Sequence, residues 1–163
     1  MNYLYLDTNA LIKLYRSEKG SSWLRSFIVG KKIIVSELVL FESATVIGKY
    51  YRNEEYALIQ AKDIYNQIDS DCNIHHIVIS LQISLLEAEV RGIAFPLTLV
   101  KGASFVRALD AIHVASAQFA RKDIIRRDPG ASFVVVSSDG QLLKVAQANG
   151  LLVENPEDYQ IAP

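Results

Sequence analysis

The chain has 163 residues and a single cysteine, Cys72, which excludes an intrachain disulfide framework and a cysteine-built zinc site. We read Cys72 as a small structural residue near a strand start. No apolar run approaches the ~20 residues needed to span a bilayer, so no membrane role is expected. The amino terminus has no basic n-region and enters strand-like residues at once, so no signal peptide and a cytoplasmic location are expected. Net charge is −1, so the global basic field that advertises nucleic-acid binding is missing. That argues only weakly against a nucleic-acid partner, because acids gathered in one pocket can hide a basic rim. Repeats, linkers and low-complexity segments are absent, and no glycine follows the first strand before Gly20, which excludes a dinucleotide-binding turn.

What remains is an ordinary globular composition, half apolar, and long enough for one domain with a real core. Residues 2–6 form a tight apolar run that predicts a buried strand. Asp7-Thr8-Asn9 offers cap chemistry for a helix over 10–16, and a second short helix reaches Val29. The pattern then predicts a strand over 33–35 and helices over 36–52 and 53–68. A strand over 74–79, a helix over 80–91, a loop over 92–104 and a long helix over 105–122 follow. Strand 133–137, helix 141–148 and strand 151–154 close the chain. Strands alternating with helices predict an α/β fold with a mainly parallel sheet, a single domain over 1–163.

Against this background four carboxylates stand in apolar settings. Asp7 ends the run Tyr3-Leu4-Tyr5-Leu6, and Asp139 follows Phe133-Val134-Val135-Val136 and two serines. Glu42 lies among apolar or small residues over 38–47, and Asp110 sits within Leu109-Asp110-Ala111-Ile112. An ionised carboxylate is costly to bury unless it is paired or binds a cation. Four such acids spread over the chain suggest one shared partner, and a divalent metal is the simplest. In open parallel sheets ligands bind beyond the carboxyl ends of strands. Asp7 and Asp139 follow two strands, Glu42 lies about 9 Å along its helix from Ser36, and Asp110 falls early in a helix. All four can therefore meet at one rim. A carboxylate set without His or Cys suits Mg²⁺ or Mn²⁺, whose chemistry is phosphodiester hydrolysis.

Each acid also has a purely structural reading. Asp7 and Asp139 can be helix caps, Glu42 a core acid paired with a lysine, and Asp110 the partner of Arg107 one turn earlier. Their joint occurrence is what favours a site.

These residues resemble the PIN-domain nucleases, and among them the VapC-type toxins of toxin–antitoxin pairs. The resemblance runs nearly end to end: Leu6-Asp7-Thr8-Asn9-Ala10-Leu11, then Ser36-Glu37-Leu38 leading to Glu42, then Arg107-Ala108-Leu109-Asp110-Ala111-Ile112-His113-Val114-Ala115, and Val136-Ser137-Ser138-Asp139. Ala146-Gln147-Ala148-Asn149-Gly150 before Asn155-Pro156 is also typical. The resemblance implies a three-layer fold, a five-strand parallel sheet with helices on both faces. It implies Asp7, Glu42, Asp110 and Asp139 as catalytic, metal-binding acids, with Ser137 and Asn9 in support, Asn9 by hydrogen bonding to Asp7. It further implies Mg²⁺- or Mn²⁺-dependent cleavage of RNA, a homodimer, and inhibition by a protein antitoxin. The chain departs from the family pattern after the last acid, where Gly140-Gln141 replace the usual charged residue, and in the longer, more apolar segment over 92–104.

His113 falls one turn after Asp110 and reads as a packed or hydrogen-bonded core histidine, with a role as general acid or as a supporting partner of the acids as the alternative. His75 and His76 alternate along the expected strand and have neither acid nor Cys at ligand spacing. Trp23, Phe27, Tyr50 and Tyr51 follow helical spacing and read as core or dimer surface. Lys13, Arg16, Lys49, Arg52, Lys101 and Arg107 are candidates for phosphate contact, each with a solvated helix face as its alternative. Glu157 reads as an ordinary solvated charge. A dehalogenase-type phosphatase would need an acid where Asn9 stands, and a response-regulator receiver would need paired early acids. The alternatives within the resemblance are a stand-alone PIN-domain ribonuclease and a catalytically silent binding module, and the latter would not need all four acids.

Overall fold

The computed structural model describes residues 1–98 and 107–159. Five parallel strands form one sheet: β1 (Asn2–Leu6), β2 (Lys32–Ser36), β3 (Ile77–Ile79), β4 (Ser132–Val136) and β5 (Leu152–Glu154), in the order β3-β2-β1-β4-β5. Seven helices appear among the described residues: α1 (Thr8–Tyr15), α2 (Ser21–Phe27), α3 (Leu38–Arg52), α4 (Leu58–Ile74), α5 (Ile83–Thr98), α6 (Ala108–Arg127) and α7 (Gly140–Ala148). A short 3₁₀ turn over Pro156–Asp158 ends the described chain.

Alternation along the strands builds two cores. Tyr5, Ile34, Phe133 and Val135 point toward α5, α6 and α7. Leu4, Leu6, Ile33, Val35 and Val136 point toward α1, α2, α3 and α4. Strands buried on both faces read as nearly unbroken apolar runs, and a three-layer α/β domain results. None of the described helices is long and apolar enough to cross a membrane.

Several boundaries differ from the sequence reading. Helix α5 passes through Gly92 and Pro96 to Thr98, because Leu86 and Ile93 are buried against α6 and packing outweighs local propensity. Residues 99–106, with the end of the expected loop, the expected start of α6 and Lys101, lie outside the described residues. Helix α6 continues past 122 to Arg127 and stops where Asp128, which precedes Pro129, leaves helical geometry at φ −139°. Helix α4 starts late, with Gln60 accepting a hydrogen bond from the Ala57 N–H, and runs on to Ile74. His75 therefore caps a helix and His76 precedes β3, so the expected alternation of the two across a strand does not occur. Cys72 lies in α4, not near a strand start; it is buried, and burial pushes its thiol up to about 11. Trp23 stacks between Phe27 and Tyr159, with ring centroids 4.4 and 4.1 Å away.

Candidate functional site

The strand order reverses between β1 and β4, and parallel sheets bind ligands at such a switch point. There, a cavity of about 480 Å³ is lined by Asp7, Glu42, Asp110 and Asp139, together with Thr8, Asn9, Arg107, His113 and an apolar wall that includes Leu38, Phe41 and Leu109.

Asp7 leaves β1 and caps α1. Its Oδ1 accepts from the Ala10 N–H at 2.8 Å and its Oδ2 from the Ser137 hydroxyl at 2.6 Å. Burial pushes its carboxyl up to about 6, opposed by His113 and by these two donors. Asp7 is thus a helix cap and a cavity-lining acid together. Ser137 also accepts from the Asp139 N–H at 2.9 Å, tying the ends of β1 and β4. Asp139 caps α7, its Oδ1 accepting from Gln141 and Leu142, while Arg107 Nη1 lies 3.5 Å from its Oδ2. Arg107 pairs with Asp139, and not with Asp110 as the helical spacing suggested.

Asp110 stands in the first turn of α6, 7% exposed. Its Oδ2 is buried and has no hydrogen-bond partner among the described residues. Burial raises its carboxyl, and the Asp139 charge adds to the effect. Glu42 projects from α3, and its Oε2 accepts from both the Thr8 hydroxyl and His113 Nε2. Burial alone would raise this carboxyl, but His113 and Thr8 outweigh it and hold it below the usual range.

Thr8 and Tyr5 complete the site in ways that sequence reasoning missed, while His113 is the buried, hydrogen-bonded histidine the sequence reading expected. His113 is buried and hydrogen-bonded at both ring nitrogens, to Glu42 and to Tyr5. The available signal was its position one turn after Asp110. Asn9 lines the cavity but is exposed, and among the described residues the Asp7 carboxylate is fixed by Ala10 and Ser137 instead.

Two of the basic candidates are committed elsewhere. Lys13 is 3% exposed and bonds Glu18, Glu157 and the Lys19 carbonyl. It is neither a solvated lysine nor a phosphate contact, and Glu157 is a structural partner, not a free surface charge. Arg16 bonds Glu55 at 2.6 Å and stacks on Tyr50 at 3.9 Å.

The donor set fits a hard divalent cation: four carboxylates, no thiol, and an orphaned oxygen on Asp110. Among the described residues no three acid or imidazole groups already converge on one point.

The family model for the PIN domain matches residues 4–147. This chain belongs to the PIN domain family. No curated protein matches it. Solved structures similar to this PIN domain include DNA-bound VapBC from Salmonella typhimurium, at 14% identity and TM-score 0.61, covering 96% of this chain and 99% of that one. VapBC2 from Rickettsia felis, bound to a DNA fragment from its promoter, is 16% identical with TM-score 0.57, covering 95% and 98%. FitAcB from Neisseria gonorrhoeae is 16% identical with TM-score 0.54, covering 94% and 97%. At these identities the likeness is one of fold.

Proposed function

We propose that this PIN domain, taken as one unit over residues 1–163, is a Mg²⁺- or Mn²⁺-dependent endoribonuclease that hydrolyses RNA phosphodiester bonds. In this reading it is the toxin of a toxin–antitoxin pair, a cytoplasmic homodimer restrained by a protein antitoxin. The observation that carries it is the meeting of Asp7, Glu42, Asp110 and Asp139, from four separate elements, on one cavity wall. The solved neighbours support the partner class, since VapBC and FitAcB are the proteins this fold is similar to.

Electrostatics argue for the cation. Among the described residues that line the cavity, four carboxylates against the Arg107 guanidinium leave about three negative charges, which repel a phosphate. Asp7, Glu42, Asp110 and Asp139 would hold the ion. When bound, a divalent ion lowers the pKa of water and polarises a phosphoryl oxygen. The chain's own contribution is orientation: Ser137 and the Ala10 N–H aim Asp7, the α7 amides aim Asp139, and Thr8 and His113 aim Glu42. Arg107, at the rim, is placed to meet a phosphate. Leu38, Phe41 and Leu109 form an apolar part of the cavity lining.

The test is cleavage of labelled RNA with Mg²⁺ and with EDTA, for the wild type and for Asp7→Asn and Asp110→Asn. Cleavage that needs the metal and disappears in both folded variants supports the proposal. Full activity in either variant, or in EDTA, refutes it. Co-expression with the product of an adjacent small reading frame tests the antitoxin.

A further inference from the structure

Among the described residues Glu42 is held through one oxygen only. Both of its described hydrogen bonds fall on Oε2, one from Thr8 and one with His113 Nε2 at 2.9 Å. The far ring nitrogen, Nδ1, lies 2.9 Å from Tyr5 Oη, with the two rings edge to face at 75°. Tyr5 is fully buried and His113 is 3% exposed. An ionised carboxylate only accepts, so Nε2 carries a proton; in the neutral ring Nδ1 is then the acceptor and the Tyr5 hydroxyl donates to it. The chain of contacts joins β1, α6 and α3, three elements far apart in sequence.

A histidine that merely filled the core would be satisfied by Tyr5 and by packing. This one spans to an acid on the cavity wall and shares its oxygen with Thr8. Oε1 has no described protein donor, so it is the oxygen left for the cavity. Carboxylates that bind metals depend on such outer hydrogen bonds for their orientation.

We infer that His113, fixed in turn by Tyr5, is a positioning residue that locks Glu42 with Oε1 presented to a divalent cation. The inference rests on the metal-dependent reading above.

The experiment measures Mn²⁺ affinity by calorimetry for wild type, His113→Phe, His113→Gln, Tyr5→Phe and the double variant Tyr5→Phe/His113→Phe. His113→Phe should weaken binding roughly 10- to 100-fold. His113→Gln, which keeps an N–H donor, should recover most of the loss. Tyr5→Phe should cost a few-fold alone and nothing further beside His113→Phe. Equal losses in Gln and Phe would mark a packing role and overturn the inference, as would wild-type affinity in His113→Phe. Nitrogen NMR of metal-free protein adds a readout that needs no variant of His113: a ring protonated at Nε2 is expected, and a neutral ring protonated only at Nδ1 overturns the clamp. A wild-type chain that takes up no Mn²⁺ overturns the metal-dependent reading. The tautomer still decides whether His113 holds Glu42.

Discussion

The Ser137 hydroxyl donates to Asp7 Oδ2 at 2.6 Å across 130 residues of sequence. Ser137 Oγ also accepts from the Asp139 N–H, so one small side chain sets two of the four acids relative to each other. Ser137→Ala should lower cleavage and Mn²⁺ affinity by roughly 10- to 100-fold, as lost outer hydrogen bonds to metal ligands do. It should also cost about 1–3 kcal/mol in urea unfolding, because the buried Asp7 carboxylate loses a donor and the half-buried Asp139 N–H its acceptor. Wild-type metal affinity in Ser137→Ala would rule out this positioning role.

Asp7 gives the metal-free protein a pH signature. Its carboxyl titrates at about 6 when folded, against the ordinary 3.8. Between those values the native state holds a proton that the unfolded chain has released. Stability from this group is therefore full below about pH 4 and is lost as pH rises through about 6, on the order of 3 kcal/mol. The difference in unfolding free energy between wild type and Asp7→Asn, measured with EDTA, should shift against the wild type by that order from pH 4 to 7. A flat difference would show that Asp7 is not desolvated as described.

Lys13 separates structural from substrate-binding cations. It holds Glu18 at 2.8 Å and Glu157 at 2.9 Å, joining α1 to the 3₁₀ turn. The two acids remain about a third exposed, so water relieves part of the repulsion left by Lys13→Met. A loss of about 2 kcal/mol in stability is expected. The salt dependence of RNA binding should stay unchanged, and a flatter salt slope would restore Lys13 as a phosphate contact.

Arg107 should behave in the opposite way. It is 65% exposed, lines the cavity, and meets Asp139 at 3.5 Å, an exposed pair worth little to stability. In an Asp110→Asn background that binds without cutting, Arg107→Gln should weaken all RNA sequences alike and reduce the salt slope by about 1. An unchanged slope would remove Arg107 from the RNA path. Thermal stability should move little.

Much of the fold was legible because its signals are local. The apolar runs of β1 and β4 mark strands buried on both faces, and each is followed by an acid at the start of a helix. Boundaries failed where long-range packing overrode local chemistry, as in α5, which runs through Gly92 and Pro96. The His75–His76 pair failed for the same reason: α4 extends to Ile74 because Ile68 and Cys72 bury against the sheet.

The sequence by itself determined which residues could carry charge into an apolar setting, and it marked Asp7, Glu42, Asp110 and Asp139 by their neighbours alone. Only the tertiary structure decided who holds whom. Ser137 reaches Asp7, His113 reaches Glu42, and Lys13 turns away from the cavity to Glu157. These pairs span 130, 71 and 144 residues. Their partners are chosen by the strand order β3-β2-β1-β4-β5 and by the helices packed on its two faces. No periodicity within a single element encodes such a choice.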